Sequence, residues 1–229
     1  MENVKKKFVN SIRYPSLFLL IMWTVHIVHN ITGIEFAYWG IKPRDIVGLK
    51  GILFAPFIHG DWMHLISNSA PFFILMSLMF FFYPKVAKKS FILIYVLTGI
   101  SVWLVGGILD LSRNSFHIGA SGVVYGMLTF IFWSGIFRRS TISIVLSLIV
   151  TFLYSGMLIG IFPNQEGISW ESHLFGAIAG MFVSYLYKDQ IEEDEKKQPE
   201  WIHESTEEKQ NYFPPNTFQD PQKEKRYDV

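Results

Sequence analysis

The sequence predicts an all-α membrane protein, a bundle of six transmembrane helices followed by a polar tail. The 229 residues are 50% hydrophobic and 17% aromatic with a mean hydropathy of +0.28, which is more apolar than is usual for a soluble domain. Their apolar residues fall into runs of about 20, the length that a helix needs to cross a bilayer. Charge is also divided unevenly, because residues 1–188 carry a net +7 and residues 189–229 a net −6.

Six segments have the length and composition of membrane helices. They are residues 14–34, 57–82, 90–110, 119–137, 140–162 and 171–188. Short polar turns at residues 83–85 and 138–140 separate neighbouring segments, so consecutive helices are expected to pack antiparallel. The first segment follows several lysines but lacks a small-residue cleavage site, and we interpret it as a retained helix and not a signal peptide. Residues 35–56 are predicted to form a loop half embedded in the membrane interface.

Positive charge flanks the predicted helices asymmetrically. If the N-terminus is cytoplasmic, the cytoplasmic segments carry ten Lys and Arg residues and the outer loops carry four. The positive-inside rule therefore predicts that both termini of this integral membrane protein are cytoplasmic. We assign the protein to a bacterial cell membrane. Residues 1–13 are the expected cytoplasmic N-terminus, residues 14–188 the membrane domain and residues 189–229 a disordered cytoplasmic tail.

Polar residues stand near the starts of three predicted helices. His64 and Asn68 open the second helix, Ser121 opens the fourth and His173 opens the sixth. In the predicted topology all three helices start on the outer side, so these side chains lie at similar depth. Polar groups are costly inside a membrane and by default indicate function. A hydroxyl, an imidazole and hydrogen-bond donors near helix N-termini are the groups of a serine hydrolase with an oxyanion hole.

Small residues predict close contact between the fourth and sixth helices. Gly119 and Gly122 give the fourth helix a small face, and Gly176 and Gly180 form a small-xxx-small motif on the sixth. His173 shares the helix face of this motif, so its imidazole belongs to the surface expected to pack most closely.

These motifs resemble those of the rhomboid family of intramembrane serine proteases. The matches are Gly119-Ala120-Ser121-Gly122 for Gly-x-Ser-Gly, His173 with Gly176 and Gly180 for His-x-x-Gly-x-x-x-Gly, and His64 with Asn68 for His-x-x-x-Asn. The sequence departs from the family pattern at Lys50-Gly51-Ile52, where many members have Trp-Arg nearby, and at Ser172, where many have alanine. The resemblance covers residues 14–188 and implies a rhomboid-like six-helix bundle.

The resemblance also implies a role for each matched residue. Ser121 would be the nucleophile and His173 the general base of a dyad with no acidic third member. His64 and Asn68 would stabilise the oxyanion together with the Ser121 backbone N–H. Tyr125 would support the histidine ring.

Substrates implied by the resemblance are membrane proteins with transmembrane helices, cleaved in the lipid bilayer without a cofactor. No metal site and no nucleic-acid partner are predicted. The tail from residue 195 onward holds no residue that this chemistry requires, and it could dock a cytoplasmic partner. His59 and His117 are interpreted as loop or cap residues, with His117 close enough to help shape the site.

Two other function classes stay open from the sequence. A non-catalytic chaperone or adaptor could bind client helices, although it would have no need of Ser121 and His173 together. A transporter would favour paired charges near the middle of the membrane, and the sequence has none there.

Overall fold

Seven α-helices account for most of the described chain, which in this computed structural model comprises residues 2–107, 116–163 and 169–195. In chain order they are α1 (Glu2–Thr32), α2 (Gly51–Phe54), α3 (Trp62–Phe82), α4 (Ala87–Val105), α5 (Ser121–Arg138), α6 (Thr141–Tyr154) and α7 (Trp170–Leu186). The described ranges contain no β-strand, only one isolated bridge between Ile41 and His117. The predicted all-α fold class is therefore confirmed, and every helix except the short α2 corresponds to one predicted segment.

The helices differ in how well each could cross a bilayer by itself. By length and composition, α1, α3 and α4 are each long and apolar enough to do so. Of the other four, α2 has only 4 residues. Helices α5, α6 and α7 have 18, 14 and 17 residues, near or below the short end of the usual range of about 17–25. An apolar 3₁₀ turn, Ser155–Ile161, extends α6. This turn replaces the last part of the predicted fifth helix, and it carries backbone groups that matter at the site below.

The first helix starts well before the apolar run begins. Residues 1–13, the expected cytoplasmic N-terminus, are helical from Glu2 onward, because α1 is continuous from Glu2 to Thr32. Lysine is a good helix former, so the charged start can continue the helix out of the apolar region. Pro15 lies inside α1, where it has no backbone N–H to donate to the carbonyl of Ser11. Hydropathy therefore marks where α1 becomes apolar, not where it starts.

Residues 37–57, here named the first connection, join α1 to α3 as a chain of short helical turns. They comprise the 3₁₀ turns Ala37–Trp39, Ile46–Lys50 and Ala55–Phe57 together with α2. The indole N–H of Trp103 on α4 donates to the carbonyl of Asp45 at 2.9 Å. Gly99 on α4 leaves room for Ile52, because a Cβ at this glycine would lie 2.8 Å from the isoleucine side chain. The predicted outer loop is thus a layer packed on α4.

The central helix of the bundle is α5, which packs against α3, α4, α6 and α7 and buries most of its residues. The outer helices instead expose large apolar side chains. On α6, for example, Phe152 is 84% exposed and Leu148 is 64% exposed. Apolar surface of this extent suits contact with lipid and not with water.

The closest helix pair in the bundle is α5 with α7. A Cβ built on Gly176 would collide with the carbonyl oxygen of Gly122, and one built on Gly180 would collide with that of Gly126. Glycine at these positions lets the two backbones touch. The structure therefore places all three predicted packing glycines at this contact.

The segment that follows α7 is fixed to the end of α5. The carboxylate of Glu195 lies 2.6 Å from Nη1 of Arg138, and both side chains are 1% exposed. Burial raises the pKa of the Glu195 carboxyl, but hydrogen bonds, first that from Ser143, and the guanidinium outweigh burial and hold this pKa below its ordinary value. Residues 189–195, predicted to open a disordered tail, are thus packed against the bundle, and residues 196–229 lie outside the described part.

Candidate active site

Helices α3, α5 and α7 begin at the same end of the bundle, which we call the upper end. Ser121 is the first residue of α5, and His173 lies in the first turn of α7. His64 and Asn68 lie in the first two turns of α3. All four predicted polar residues therefore stand at helix starts on one end of the molecule.

Ser121 and His173 are in hydrogen-bond contact. The distance from Ser121 Oγ to His173 Nε2 is 2.8 Å, which is within the reach that proton transfer requires. Gly119 has a φ of +103° in the turn before α5, a backbone conformation that favours glycine. This turn presents Ser121 at the helix start, where it is partly exposed.

The second ring nitrogen of His173 also has a partner. Its Nδ1 lies 2.8 Å from the carbonyl oxygen of Gly160 in the 3₁₀ turn after α6. A carbonyl oxygen can only accept, so Nδ1 carries the proton and donates it. The lone pair of Nε2 is then directed at the Ser121 hydroxyl. Gly160 thereby selects the tautomer in which His173 can take a proton from the serine.

Tyr125 supports the imidazole from one face. Its ring stacks on that of His173 with centroids 4.2 Å apart and an interplanar angle of 10°. The tyrosine hydroxyl donates to the carbonyl of Met157 at 2.6 Å, so the same turn after α6 that binds Nδ1 also holds the stacking ring. The structure thus places Tyr125, which the resemblance implies as a support of the histidine ring, against His173.

His64 approaches the turn that precedes Ser121. A Cβ built on Gly119 would lie 2.6 Å from Nε2 of His64, so the absence of a side chain at this glycine makes space for the ring. Asn68, 5% exposed, donates one amide N–H to the carbonyl of His64 at 2.8 Å. Its second amide N–H is left for another acceptor.

Two ionisable residues before α3 set the charge near this site. The backbone N–H of His64 donates to Asp61 at 2.8 Å, and this bond holds the pKa of the Asp61 carboxyl below its ordinary value. His59 is 3% exposed, and burial lowers the pKa of its imidazole to about 3, with His64 and His26 acting in the same direction. His59, which lies in the loop before α3, is therefore neutral near pH 7.

Three groups at the site left little or no trace in the sequence. The carbonyls of Gly160 and Met157 are backbone groups, which any residue could supply. The Glu171 carboxylate is 4% exposed and accepts from the backbone N–H of Gly107 at 2.6 Å, joining the end of α4 to the first turn of α7. An acidic residue in the first turn of a helix was the available signal for Glu171.

Known proteins that resemble this chain identify its family. A family model described as the Rhomboid domain matches residues 47–190. An uncharacterized protein of Mycobacterium tuberculosis is 35% identical over 172 residues, which cover 74% of this chain and 72% of that relative. A second relative, from Mycobacterium leprae, is 31% identical over 176 residues, covering 74% and 68%. YdcA of Bacillus subtilis, which carries the provisional name of a rhomboid protease, is 28% identical over 130 residues, covering 56% and 62%.

The family match spans more than half of the chain, and it includes α3, α4, α5, α6 and α7. With three helices long and apolar enough to cross a bilayer, the chain is an integral membrane protein. It belongs to the rhomboid family, and membership of that family implies an intramembrane serine protease.

Proposed function

We propose that this protein cleaves peptide bonds within or near transmembrane segments of other membrane proteins, with Ser121 as nucleophile and His173 as general base. The observation that carries the proposal is the 2.8 Å contact between Ser121 Oγ and His173 Nε2 in a chain of the rhomboid family. A serine hydroxyl is a weak nucleophile by itself and needs a base within hydrogen-bond reach.

In the first half-reaction, Ser121 Oγ attacks the carbonyl carbon of the scissile bond while its proton passes to His173 Nε2. The C–N bond then breaks, and the imidazolium gives this proton to the departing amine, which leaves an ester on Ser121. The Gly160 carbonyl accepts from Nδ1–H throughout. It keeps the ring oriented and stabilises the charge that His173 acquires, from the position that a carboxylate occupies in serine hydrolases with three catalytic residues.

Negative charge develops on the carbonyl oxygen of the substrate in both half-reactions. We assign its stabilisation to His64, Asn68 and the backbone N–H of Ser121, which is free because Ser121 is the first residue of α5. The position of His64 Nε2 against Gly119 supports this assignment. Preorganised donors act most strongly where water is excluded.

In the second half-reaction, a water molecule replaces the amine. His173 removes a proton from this water, whose oxygen attacks the ester carbon. Collapse of the intermediate breaks the bond to Ser121 Oγ, which takes the proton back from His173. The products are a carboxylic acid and the regenerated hydroxyl.

The lower end of the bundle, opposite to the dyad, is assigned to the cytoplasm. It holds the α3–α4 and α5–α6 turns. The basic residues in these turns or in the adjoining helix ends are Lys85, Lys88, Lys89, Arg138 and Arg139. By the positive-inside rule the dyad then lies toward the outer side, and both termini are cytoplasmic. Residues 196–229 become a cytoplasmic segment that could dock a partner.

The test is cleavage by the purified full-length protein in detergent, with a single-span substrate tagged at both ends. Wild type should yield two fragments. Ser121→Ala should lower the rate by at least about 10³-fold, because the nucleophile is lost, while the thermal midpoint stays unchanged. Ser67→Ala is the matched control, since Ser67 lies on the exposed face of α3, and it should cleave like wild type.

Cleavage by Ser121→Ala at a rate near wild type would remove the dyad from the mechanism. The adaptor alternative has a different signature in the same assay. Wild type and Ser121→Ala would both retain the single-span substrate on an affinity resin, and neither would cut it.

A further inference from the structure

A chain of hydrogen bonds connects the turn before α5 to the start of α7 at the upper end. His117 Nδ1 lies 2.6 Å from Ser169 Oγ, and Ser169 Oγ lies 2.6 Å from Ser172 Oγ. His117 stands four residues before Ser121, and Ser172 stands directly before His173. This series of hydrogen bonds therefore links the backbone segment before Ser121 to the backbone segment before His173. It does not include Ser121 Oγ or His173 Nε2.

The histidine end of this chain is held by backbone hydrogen bonds. His117 donates its N–H to the carbonyl of Ile41 at 2.8 Å and accepts from the N–H of Ile41 at 2.9 Å. Two residues later, the N–H of Gly119 donates to the carbonyl of Ala55 at 2.9 Å. The turn before Ser121 is thus fixed to the first connection by backbone hydrogen bonds. The backbone of His117 is held in place by these bonds, and its side chain can therefore position the start of α7.

The serine end of the chain is the N-cap of α7. The N–H of Ser172 donates to Ser169 Oγ at 3.4 Å and to the carbonyl of Ser169 at 3.0 Å. The N–H of His173 donates to the same carbonyl at 3.4 Å. Ser169 therefore determines where α7 starts, and hence where the His173 side chain leaves the helix.

Each hydroxyl in the chain can donate once and accept at the same time. If Ser172 donates to Ser169, then Ser169 donates to an unprotonated Nδ1 of His117. If Nδ1–H donates to Ser169, then Ser169 donates to Ser172. In both arrangements of the hydroxyl protons, the bond between His117 and Ser169 and the bond between Ser169 and Ser172 are formed. Consecutive hydrogen bonds of this kind strengthen one another. Removal of one of these side chains leaves the neighbouring side chain without this hydrogen-bond partner.

We propose that His117, Ser169 and Ser172 form a positioning network that sets the distance between Ser121 and His173. The glycine contacts set how closely α5 and α7 approach each other, but van der Waals contact between small residues is not directional. The network supplies a directional connection at the level of the dyad. Because a misplacement of about 1 Å can cost about 10²-fold in rate, such a connection matters for turnover. The proposal rests on the proposed dyad mechanism.

The experiment compares His117→Gln, His117→Asn, Ser172→Ala and wild type, all full length in detergent. A fluorophosphonate counts the reactive Ser121 sites, and kcat is expressed per reactive site. His117→Gln should lower kcat about 10-fold with KM within about twofold, since the loss corresponds to one hydrogen bond made by the network. His117→Asn should recover most of this loss, because its amide can occupy the place of Nδ1.

Ser172→Ala should have a smaller effect, about 2- to 3-fold on kcat, because the bond from His117 to Ser169 survives. His29→Asn is the matched control. His29 contacts the carbonyl of Ile34 at 2.8 Å, outside the network, and its variant should keep the wild-type kcat and KM.

Equal kcat per reactive site in wild type, His117→Gln and Ser172→Ala would overturn the network, as would a loss confined to the number of reactive sites. In the second case the residues act only in folding. Failure of the dyad mechanism looks different, because wild type itself would then not react with the fluorophosphonate. A thermal double-mutant cycle between His117 and Ser172 reports their coupling without catalysis, and additive effects would also count against the network.

Discussion

The Nδ1 atom of His173 and the carbonyl oxygen of Gly160 lie 2.8 Å apart. In serine hydrolases with three catalytic residues, a carboxylate fixes the tautomer of the histidine and stabilises its charged form. Here a neutral backbone carbonyl is in that position. It can orient the ring as well as a carboxylate does, but it offers less stabilisation to the imidazolium. Orientation of His173 therefore depends on the backbone of a 3₁₀ turn.

Gly160→Ala should reduce turnover. The added Cβ would lie 3.1 Å from His173 Nδ1 and would collide with the hydroxyl of Tyr125, so the carbonyl must move away from the ring. We expect kcat to fall by about 10- to 100-fold, as for a misplaced catalytic group. Gly156→Ala is the control in the same turn, because nothing lies within 4 Å of a Cβ there. If both variants turn over equally fast, Gly160 does not orient His173.

Tyr125 should tolerate phenylalanine better than alanine. Tyr125→Phe keeps the ring stacked on His173 at 4.2 Å and loses only the 2.6 Å bond to Met157. We expect kcat to fall by less than about 5-fold for Phe, as for one hydrogen bond. For Ala we expect at least about 10-fold, since both the hydrogen bond and the stacking support are lost. Steady-state kinetics on the tagged substrate measures both. A loss as large for Phe as for Ala would show that the hydroxyl, not the ring, is what matters.

His64→Ala and Asn68→Ala should each lower kcat far more than they raise KM. Both residues are proposed to meet charge only as it develops in the transition state. Loss of one oxyanion donor typically costs about 10²–10³-fold in rate. Met63→Ala is the neighbouring control, because Met63 is 73% exposed at the same end of α3. A variant with weakened substrate binding and normal turnover would place its residue in substrate contact and not in the oxyanion hole.

Truncation after Glu195 should preserve the thermal stability of the protein, whereas truncation before it should lower that stability. Residues 196–229 include none of the residues that we assign to the reaction. Deletion from residue 195 leaves the buried Arg138 without the carboxylate that lies 2.6 Å from it. Breaking a buried ion pair from one side typically costs about 3–5 kcal/mol, so the thermal midpoint should fall clearly.

Glu195→Gln in the full-length protein removes the charge of Glu195 without removing any residues. It should also lower the thermal midpoint. Lys85 and Glu193 form the matched exposed pair, at 3.0 Å with side chains 43% and 68% exposed. Glu193→Gln should leave stability within about 1 kcal/mol of wild type. An unchanged midpoint for Glu195→Gln would show that the buried pair contributes little.

Sequence patterns predicted the long helices and the residues at their starts, because hydropathy and motif spacing depend on side chains. They could not predict that the carbonyls of Gly160 and Met157 accept hydrogen bonds at the site, since every residue has a backbone carbonyl. The ordered position of Glu195 was also missed. It stands in a run of charged residues that is typical of a solvated tail, and its partner Arg138 lies more than fifty positions earlier in the chain. Only the fold brings these two charges together.

Helices α5 and α7 are joined along their whole length. Below the glycine contact, the Thr129 hydroxyl donates to the carbonyl of Ala177 at 2.9 Å, and the Ser134 and Ser184 hydroxyls lie 3.1 Å apart. At the lower end Arg138 donates to the carbonyl of Gln190 at 3.1 Å. These contacts favour movement of the two helices together. If the proposed dyad cleaves a substrate helix, we therefore expect that helix to enter by displacing the helices and connections around this pair, not by parting α5 from α7.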